Sequence, residues 1–210
     1  MTSIASITLE VADTVAAESF YATAFDLKGS RLRLRTSEAP TTGFRGFTLS
    51  LTVSQPSTVD SLIGSALEAG ATSLKPVTKS LWGYGGSVQA PDGTIWKVAT
   101  SAKKETGPAT RAYDEMVLLL GVADVKASKQ FYVEQGLAVG KSFGSKYVEF
   151  TADPSSPVKL ALYKRAALAK DAGVPVDGSG SHRIALGSTA GPFTDPDGFA
   201  WEAASLTPAS

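Results

Sequence analysis

The stretch Pro91-Asp92-Gly93-Thr94-Ile95-Trp96 returns in the second half of the chain as Pro196-Asp197-Gly198-Phe199-Ala200-Trp201. An Asp-Gly step between two strand-like runs is a strong hairpin signal. Each copy therefore predicts a tight turn that leads into a strand carrying a tryptophan. The spacing from Asp-Gly to Trp is the same in both copies. The pair indicates an internal repeat.

Two further landmarks precede each turn in the same order. The first half has Val11-Ala12-Asp13 and then Phe20-Tyr21, and the second has Val122-Ala123-Asp124 and then Phe131-Tyr132. The step from Asp to Phe is seven residues in each half. A repeat of this long period predicts the architecture before any single motif does. It divides the chain into residues 1–101 and 113–210, joined by a linker, 102–112, that is polar, small and punctuated by Pro and Gly.

The local patterns predict strands mixed with a few helices. Residues 6–11 alternate between polar and apolar, as in a strand, and Asp13 then stands where a helix N-cap belongs. Asp124 repeats that position in the second half. Strands with one helix for every few of them indicate an α+β fold.

Two other helices are predicted from the residues at their ends. Ser57, with Asp60 three residues later, predicts a capping box for a helix over 57–70, and the second half has no counterpart of this helix. Residues 165–172 predict a short helix that Gly173 closes.

Composition excludes several classes of protein. The 210 residues include 20 basic and 20 acidic side chains and no cysteine. The charge balance argues against a nucleic acid or a membrane surface as the partner. The lack of cysteine excludes disulfides and thiolate metal sites. The sequence starts without a charged leader and apolar run, so we expect a cytoplasmic protein.

These landmarks together resemble the vicinal oxygen chelate superfamily. The shared features are the strand ending in Val-Ala-Asp, the helix with Phe-Tyr, and the Asp-Gly hairpin that leads to Trp. That superfamily includes glyoxalase I, bleomycin-resistance proteins and extradiol dioxygenases. The resemblance covers nearly the whole chain, twice. It implies a tandem repeat of βαβββ modules forming two curled mixed-sheet cups. Because single-copy members often pair as dimers, it also implies a monomer or a weak homodimer here.

The resemblance assigns metal-ligand positions, where enzymes of the superfamily carry His, Gln or Glu. The matching residues are Ser6, Phe47 and Lys97 in the first half and Val117, His182 and Glu202 in the second. A protonated lysine and a phenylalanine ligate no divalent ion. Two protein ligands rarely hold a catalytic metal, even with Glu115 and Glu149 as displaced helpers. We therefore expect no metal and no cofactor.

His182 and Glu202 admit three interpretations. They are a leftover hydrogen-bonded pair or surface residues, a metal-free acid/base pair, or part of a metal site. A histidine with a carboxylate partner can titrate near neutrality, which suits the second interpretation.

Five aromatic residues are candidates for contacting a ligand: Trp82, Tyr84, Trp96, Trp201 and Phe47. Trp82 and Tyr84 lie among three glycines, in a stretch that suits a mobile binding loop better than a core. Trp96 and Trp201 follow the two turns, where core packing is the competing interpretation. The segments 142–146 and 177–181 are candidate rims of the second cup.

The sequence favours a metal-independent protein that binds and sequesters an apolar or aromatic small molecule. The alternative is a lyase or isomerase of the glyoxalase type that uses His182 and Glu202. A third class is a structural or regulatory module without a small ligand.

Overall fold

The computed structural model describes residues 2–27, 32–81 and 83–204. Its helices are α1 (Thr14–Phe25), α2 (Pro56–Glu68), α3 (Val125–Glu134) and α4 (Arg165–Ala172). Its strands are β1 (Ile4–Val11), β2 (Arg33–Thr36), β3 (Thr41–Gly43), β4 (Phe47–Thr52), β5 (Thr72–Ser80), β6 (Gly83–Gln89), β7 (Ile95–Thr100), β8 (Glu115–Val122), β9 (Ala138–Phe143), β10 (Tyr147–Thr151), β11 (Lys159–Lys164), β12 (Gly178–Gly180), β13 (Ile184–Ser188), β14 (Phe193–Thr194) and β15 (Ala200–Ala203). The predicted α+β class is confirmed.

Both large sheets combine strands from the two halves of the chain. An eight-stranded sheet has the order β5-β6-β7-β4-β8-β11-β10-β9, and a five-stranded sheet has the order β14-β15-β13-β1-β2. In the first, β4 pairs antiparallel with β8; in the second, β1 pairs antiparallel with β13. Each large sheet is therefore shared between the two halves of the chain. The physical reason is that the first strand of each half, β1 or β8, pairs along one edge with a strand of the other half, β13 or β4. The division into similar units at 1–101 and 113–210 stays a prediction about the repeat.

The repeated motifs contact each other within each half. The phenol of Tyr21 on α1 donates to Asp92 of the first turn (2.6 Å), and its ring lies 5.5 Å from that of Trp96. In the second half Tyr132 on α3 donates to Asp195, and its ring lies 5.4 Å from that of Trp201. The Phe-Tyr helix and the Asp-Gly hairpin thus form one packing unit, which explains why they occur together.

Local helix signals are confirmed in part. Asp13 caps α1 and Asp124 caps α3, each accepting from two first-turn amides. Helix α4 has the predicted bounds, and Gly173 closes it in the left-handed conformation at φ 86°. The stretch between β13 and β14 carries no helix, as predicted.

The capping box predicted for α2 is wrong. The N-cap is Gln55, whose side chain makes no capping bond, and Pro56 opens the helix. The carboxylate of Glu105, from the linker, instead accepts from the Ser57 amide and hydroxyl. Gln55 in turn accepts from Thr106 and Gly107. A side chain distant in sequence supplies the cap, so no local pattern encodes it. No helix of the described residues is both long and apolar enough to cross a membrane.

The hydrogen bonds from Tyr21 to Asp92 and from Tyr132 to Asp195 should make the fold less stable at alkaline pH. Burial, reinforced by Asp92 and Asp195 respectively, raises the pKa of both Tyr21 and Tyr132 well above the usual value. A group whose pKa is raised by folding stabilises the protein below its unfolded pKa, about 10 for tyrosine. That contribution is lost as the pH rises further.

We therefore expect the free energy of unfolding to fall steeply above about pH 10. The double variant Tyr21→Phe/Tyr132→Phe should start lower, by about 1–2 kcal/mol per lost hydrogen bond, and show a shallower fall. Urea denaturation at stepped pH measures both slopes. If the free energy of unfolding fell equally steeply with pH in the variant and in the native protein, the stabilising role of the two tyrosine hydrogen bonds would be contradicted.

Candidate functional site

Strand alternation gives each large sheet one face that is buried in the main core and an opposite, concave face. On β7, Trp96 and Val98 are fully buried in the main core, while Lys97 between them points the other way. On β15, Trp201 is buried and Glu202 is only half-buried. Successive side chains of a strand point to opposite faces, so Lys97 and Glu202 mark the two concave faces.

The register places the assigned ligand positions in two rows, one on each sheet. In the large sheet Ser50 lies between Lys97 and Val117. In the small sheet Gly187 lies between Ser6 and Glu202. Each row takes residues from both halves, because each sheet does.

Two of the assigned positions are displaced from these rows. Phe47 is an odd number of residues from Ser50, so it faces the buried core. His182 precedes Gly187 by five residues and precedes the first residue of β13. The positions assigned on β1, β7, β8 and β15 lie in these rows, whereas those assigned to β4 and β13 do not, because the sequence did not reveal where these two strands begin.

An arginine crosses the concave face of the small sheet. Arg35 donates from one guanidinium nitrogen to Glu202 (2.8 Å) and from the other to Glu10 (2.7 Å). Strand β2, which carries Arg35, is separated from β15 by β13 and β1. The contact therefore requires a curled sheet. These hydrogen bonds raise the pKa of Arg35 further above its usual range.

His182 holds turns together rather than meeting Glu202. Its Nδ1 lies 2.5 Å from the carbonyl oxygen of Arg45, and its Nε2 lies 3.1 Å from that of Asp197. Carbonyls only accept, so the ring makes both hydrogen bonds only when it carries both protons. The ring also stacks on Phe199 at 3.9 Å.

Arg45 has the matching role in the first half. Its guanidinium donates to the carbonyl of Asp92 (2.6 Å), the residue that corresponds to Asp197 in the repeat. His182, Arg45 and the two Asp-Gly turns thus form one hydrogen-bonded chain. Glu202 pairs with Gly187, five residues beyond His182, and its side chain is bound by Arg35 rather than by the imidazole. The structure does not bring the predicted acid/base pair together.

The predicted aromatic contacts mostly belong to the core. Phe47, Trp96 and Trp201 are at most 2% exposed. Tyr84 is half-buried, but it faces the helices, where its phenol donates to Asp60 of α2 (2.8 Å). Trp82 lies outside the described residues. A ligand in a cup meets Phe47, Trp96 and Trp201 only after a rearrangement of the core, whereas Tyr84 is among the residues that border the cleft between α4 and strands β5 to β7.

Helix α4 fills the middle of the large concave face. Leu168 and Ala172 pack on Leu119 and Tyr163 of that face. Lys97 forms an ion pair with Asp171 of α4 (2.7 Å). The hydroxyl of Ser87 donates to the carbonyl of Ala172 (2.9 Å). The helix therefore occupies the centre of the large cup and leaves space only at its two sides.

One side is a cleft of about 400 Å³ between α4 and strands β5 to β7. Its walls include Thr78, Ser80, Lys97 and Asp171, and the glycines of β6 form part of its floor. Lys97 and Asp171 pair with each other in the wall of this cleft.

The other side is a row of three aromatic rings on adjacent strands, Phe143 on β9, Tyr147 on β10 and Tyr163 on β11, here called the aromatic row. Tyr147 pairs directly with Phe143 and with Tyr163, at ring separations of 6.0 Å in both cases. Phe143 is 65% exposed. Tyr163 at the inner end packs against the cluster formed by α4. One end of the row is anchored and the other is open.

A carboxylate lies next to the aromatic row. The phenol of Tyr147 donates to Glu149 Oε2 (2.9 Å), and Lys141 Nζ lies 3.9 Å from Glu149 Oε1. Burial and this hydrogen bond raise the pKa of Tyr147 well above its usual range. The phenol of Tyr147 thus serves as the hydrogen-bond donor to Glu149.

Comparison with known structures supports this architecture. Glyoxalase I from Zea mays superposes with a TM-score of 0.62 at 14% identity, over 96% of this chain and 91% of that one. A putative dioxygenase from Bacillus subtilis gives 0.63 at 12% identity, over 99% and 86%. The chain has the glyoxalase fold. The predicted resemblance to the vicinal oxygen chelate superfamily is thus confirmed at the level of the fold. No family model matches the sequence, and no curated protein does.

The donor set does not fit the metal that the glyoxalase fold implies. The row in the large sheet offers lysine, serine and valine, none of them an imidazole or carboxylate. The row in the small sheet offers Glu202, whose partner is already the Arg35 guanidinium. The described residues contain no cluster of three or more His, Cys, Asp or Glu able to hold an ion.

The aromatic row was missed as a unit by sequence reasoning, although parts of it were visible. The segment 142–146 was expected to form a rim, and Phe143 at its start does lie at the open end of the row. Tyr147 and Glu149 alternate with buried Val148 and Phe150, which is a signal for a half-exposed strand. The segment 177–181 instead pairs with β3 through β12.

We predict a structural role for His182. His182→Ala should lower the free energy of unfolding by about 1–3 kcal/mol, since it removes the hydrogen bonds of the imidazole to two half-buried carbonyls. His182→Phe keeps a ring against Phe199 and should lose less. Glu202→Gln, at a half-exposed ion pair, should cost under about 1 kcal/mol. Thermal and urea denaturation measure all three, and native stability for His182→Ala would contradict the role.

Proposed function

We propose that the protein binds an apolar or aromatic small molecule on the aromatic row, without a metal. The carrying observation is Phe143, a large apolar side chain that is 65% exposed on a concave face yet aligned with two further rings. Exposed rings that line up on the ligand-bearing face of such a fold suit a flat guest.

The energetics suit this proposal. An aromatic contact contributes about 0.5–1.5 kcal/mol beyond the area it buries. Two or three such contacts, with apolar burial at about 25 cal/mol per Å², are on the scale of micromolar binding of a bicyclic compound. The anchored end of the row limits the ordering cost, because Tyr163 is already packed against α4.

The enzymatic alternative has less support. A general acid and base must both reach the reacting atoms, within about 3 Å of the protons they move. His182 lies before the start of β13 and Glu202 lies on β15, and each is engaged elsewhere, by backbone carbonyls and by Arg35 respectively. Sequestration therefore remains the function we propose. A cytoplasmic location and a monomeric or weakly dimeric state remain predictions of the sequence.

Substitution of the outer ring tests the site. Phe143→Ala should weaken binding of a bicyclic aromatic probe such as quinoline by about 1–3 kcal/mol, the scale of one lost ring contact with its buried area. Stability should hardly change, because Phe143 supports little of the core. Isothermal titration and a melting curve give the two quantities.

Two comparison variants separate recognition from packing. Trp96→Phe, at a fully buried ring, should lower the melting temperature and leave affinity nearly intact. Trp82→Ala tests the competing site that the sequence favoured. Loss of quinoline binding in Trp82→Ala, with native affinity in Phe143→Ala, would contradict the aromatic row.

A further inference from the structure

The carboxylate of Glu149 is only partly satisfied. One oxygen accepts from Tyr147, while the other has Lys141 Nζ at 3.9 Å, beyond hydrogen-bond distance. The Glu149 side chain is 22% exposed and that of Lys141 is 69% exposed. A carboxylate this withdrawn from water gains from a second donor. The lysine is loosely placed and can swing into solvent.

The rings beside Glu149 have the same electrostatic preference. Aromatic faces carry negative charge density and attract cations, most strongly where water is partly excluded. Tyr147 contacts Phe143, Tyr163 and Glu149, so one ring links both kinds of group. An anionic ligand would be repelled by the same ring faces and by the Glu149 carboxylate. Lys141 is the nearby cation that would offset part of this repulsion.

We propose that the aromatic row selects a planar organic cation, with Glu149 as the residue that determines this specificity. The proposal rests on the proposed function, since it names the charge class of the compound bound at that site. The ring system of the ligand lies against Phe143 and Tyr147, and its positive charge faces Glu149 Oε1 in place of Lys141. Binding displaces Lys141 and forms no covalent bond.

Three bicyclic probes of similar size test the charge class. These are the N-methylquinolinium cation, neutral quinoline and the 1-naphthoate anion, each titrated calorimetrically into the full chain at neutral pH. The native protein should bind the cation about tenfold more tightly than quinoline and the anion more weakly than either. Glu149→Gln should bring the affinities for the cation and quinoline to within about twofold, with quinoline affinity itself unchanged.

The matched control is Glu115→Gln. Glu115 lies on the same concave face but is ion-paired with Lys159, so the preference for the cation should survive its substitution. Equal affinity of the native protein for all three probes, or tighter binding of 1-naphthoate, would overturn the charge assignment while leaving the aromatic row as a binding site. A cation preference that persists in Glu149→Gln would also overturn it. Absence of quinoline binding would instead overturn the proposed function.

Discussion

The antiparallel pairing of β4 with β8 is the interaction on which the rest of the structure depends. Six residue pairs, from Phe47 with Leu120 to Thr52 with Glu115, join the two halves at the centre of the eight-stranded sheet. Leu49, Leu51 and Leu118 on its inner side are fully buried. The pairing decides which residues share a concave face. Because of it, Lys97 and Val117 lie in one row on the large sheet, while Ser6 and Glu202 lie in one row on the small sheet.

Each concave face is then modified by the chain itself. In the small sheet, the Arg35 guanidinium lies between two carboxylates, at the side of the sheet where the glyoxalase fold implies a metal. In the large sheet, α4 lies across the middle strands and holds Lys97 through Asp171. The Arg35 guanidinium thus engages Glu202 in the small sheet, and α4 occupies the centre of the large sheet's concave face. The aromatic row lies in the outer part of the large cup, on the side of α4 away from the cleft.

The sequence predicted features that depend on neighbours along the chain. The Asp13 and Asp124 caps, the bounds of α4 and the two hairpins all follow from spacing within about ten residues. It failed where strand partners and faces decide the outcome. Phe47 has suitable chemistry, but alternation turns it away from the cup. His182 has suitable chemistry, but it lies before the strand begins.

The predicted capping box of α2 was wrong for the same reason. The carboxylate that accepts from Ser57 belongs to Glu105 in the linker, which is distant in sequence. The aromatic row could be seen from sequence only as an alternating strand and a possible rim. Its three rings come from three strands, and only the register of β9, β10 and β11 aligns them. The Tyr-to-turn contacts show the reverse case: motifs that recur together in sequence proved to touch in space.

Separating the halves is the measurement that tests the shared sheets most directly. Residues 1–112 and 113–210 would be produced as two chains, with the linker kept on the first because it packs on α2. Each fragment exposes an unpaired β4 or β8 edge when alone. The account predicts that neither fragment folds as a monomer, and that an equimolar mixture regains the near-ultraviolet circular dichroism and cooperative melting of the intact chain. A fragment that melts cooperatively while sedimenting as a monomer would contradict it.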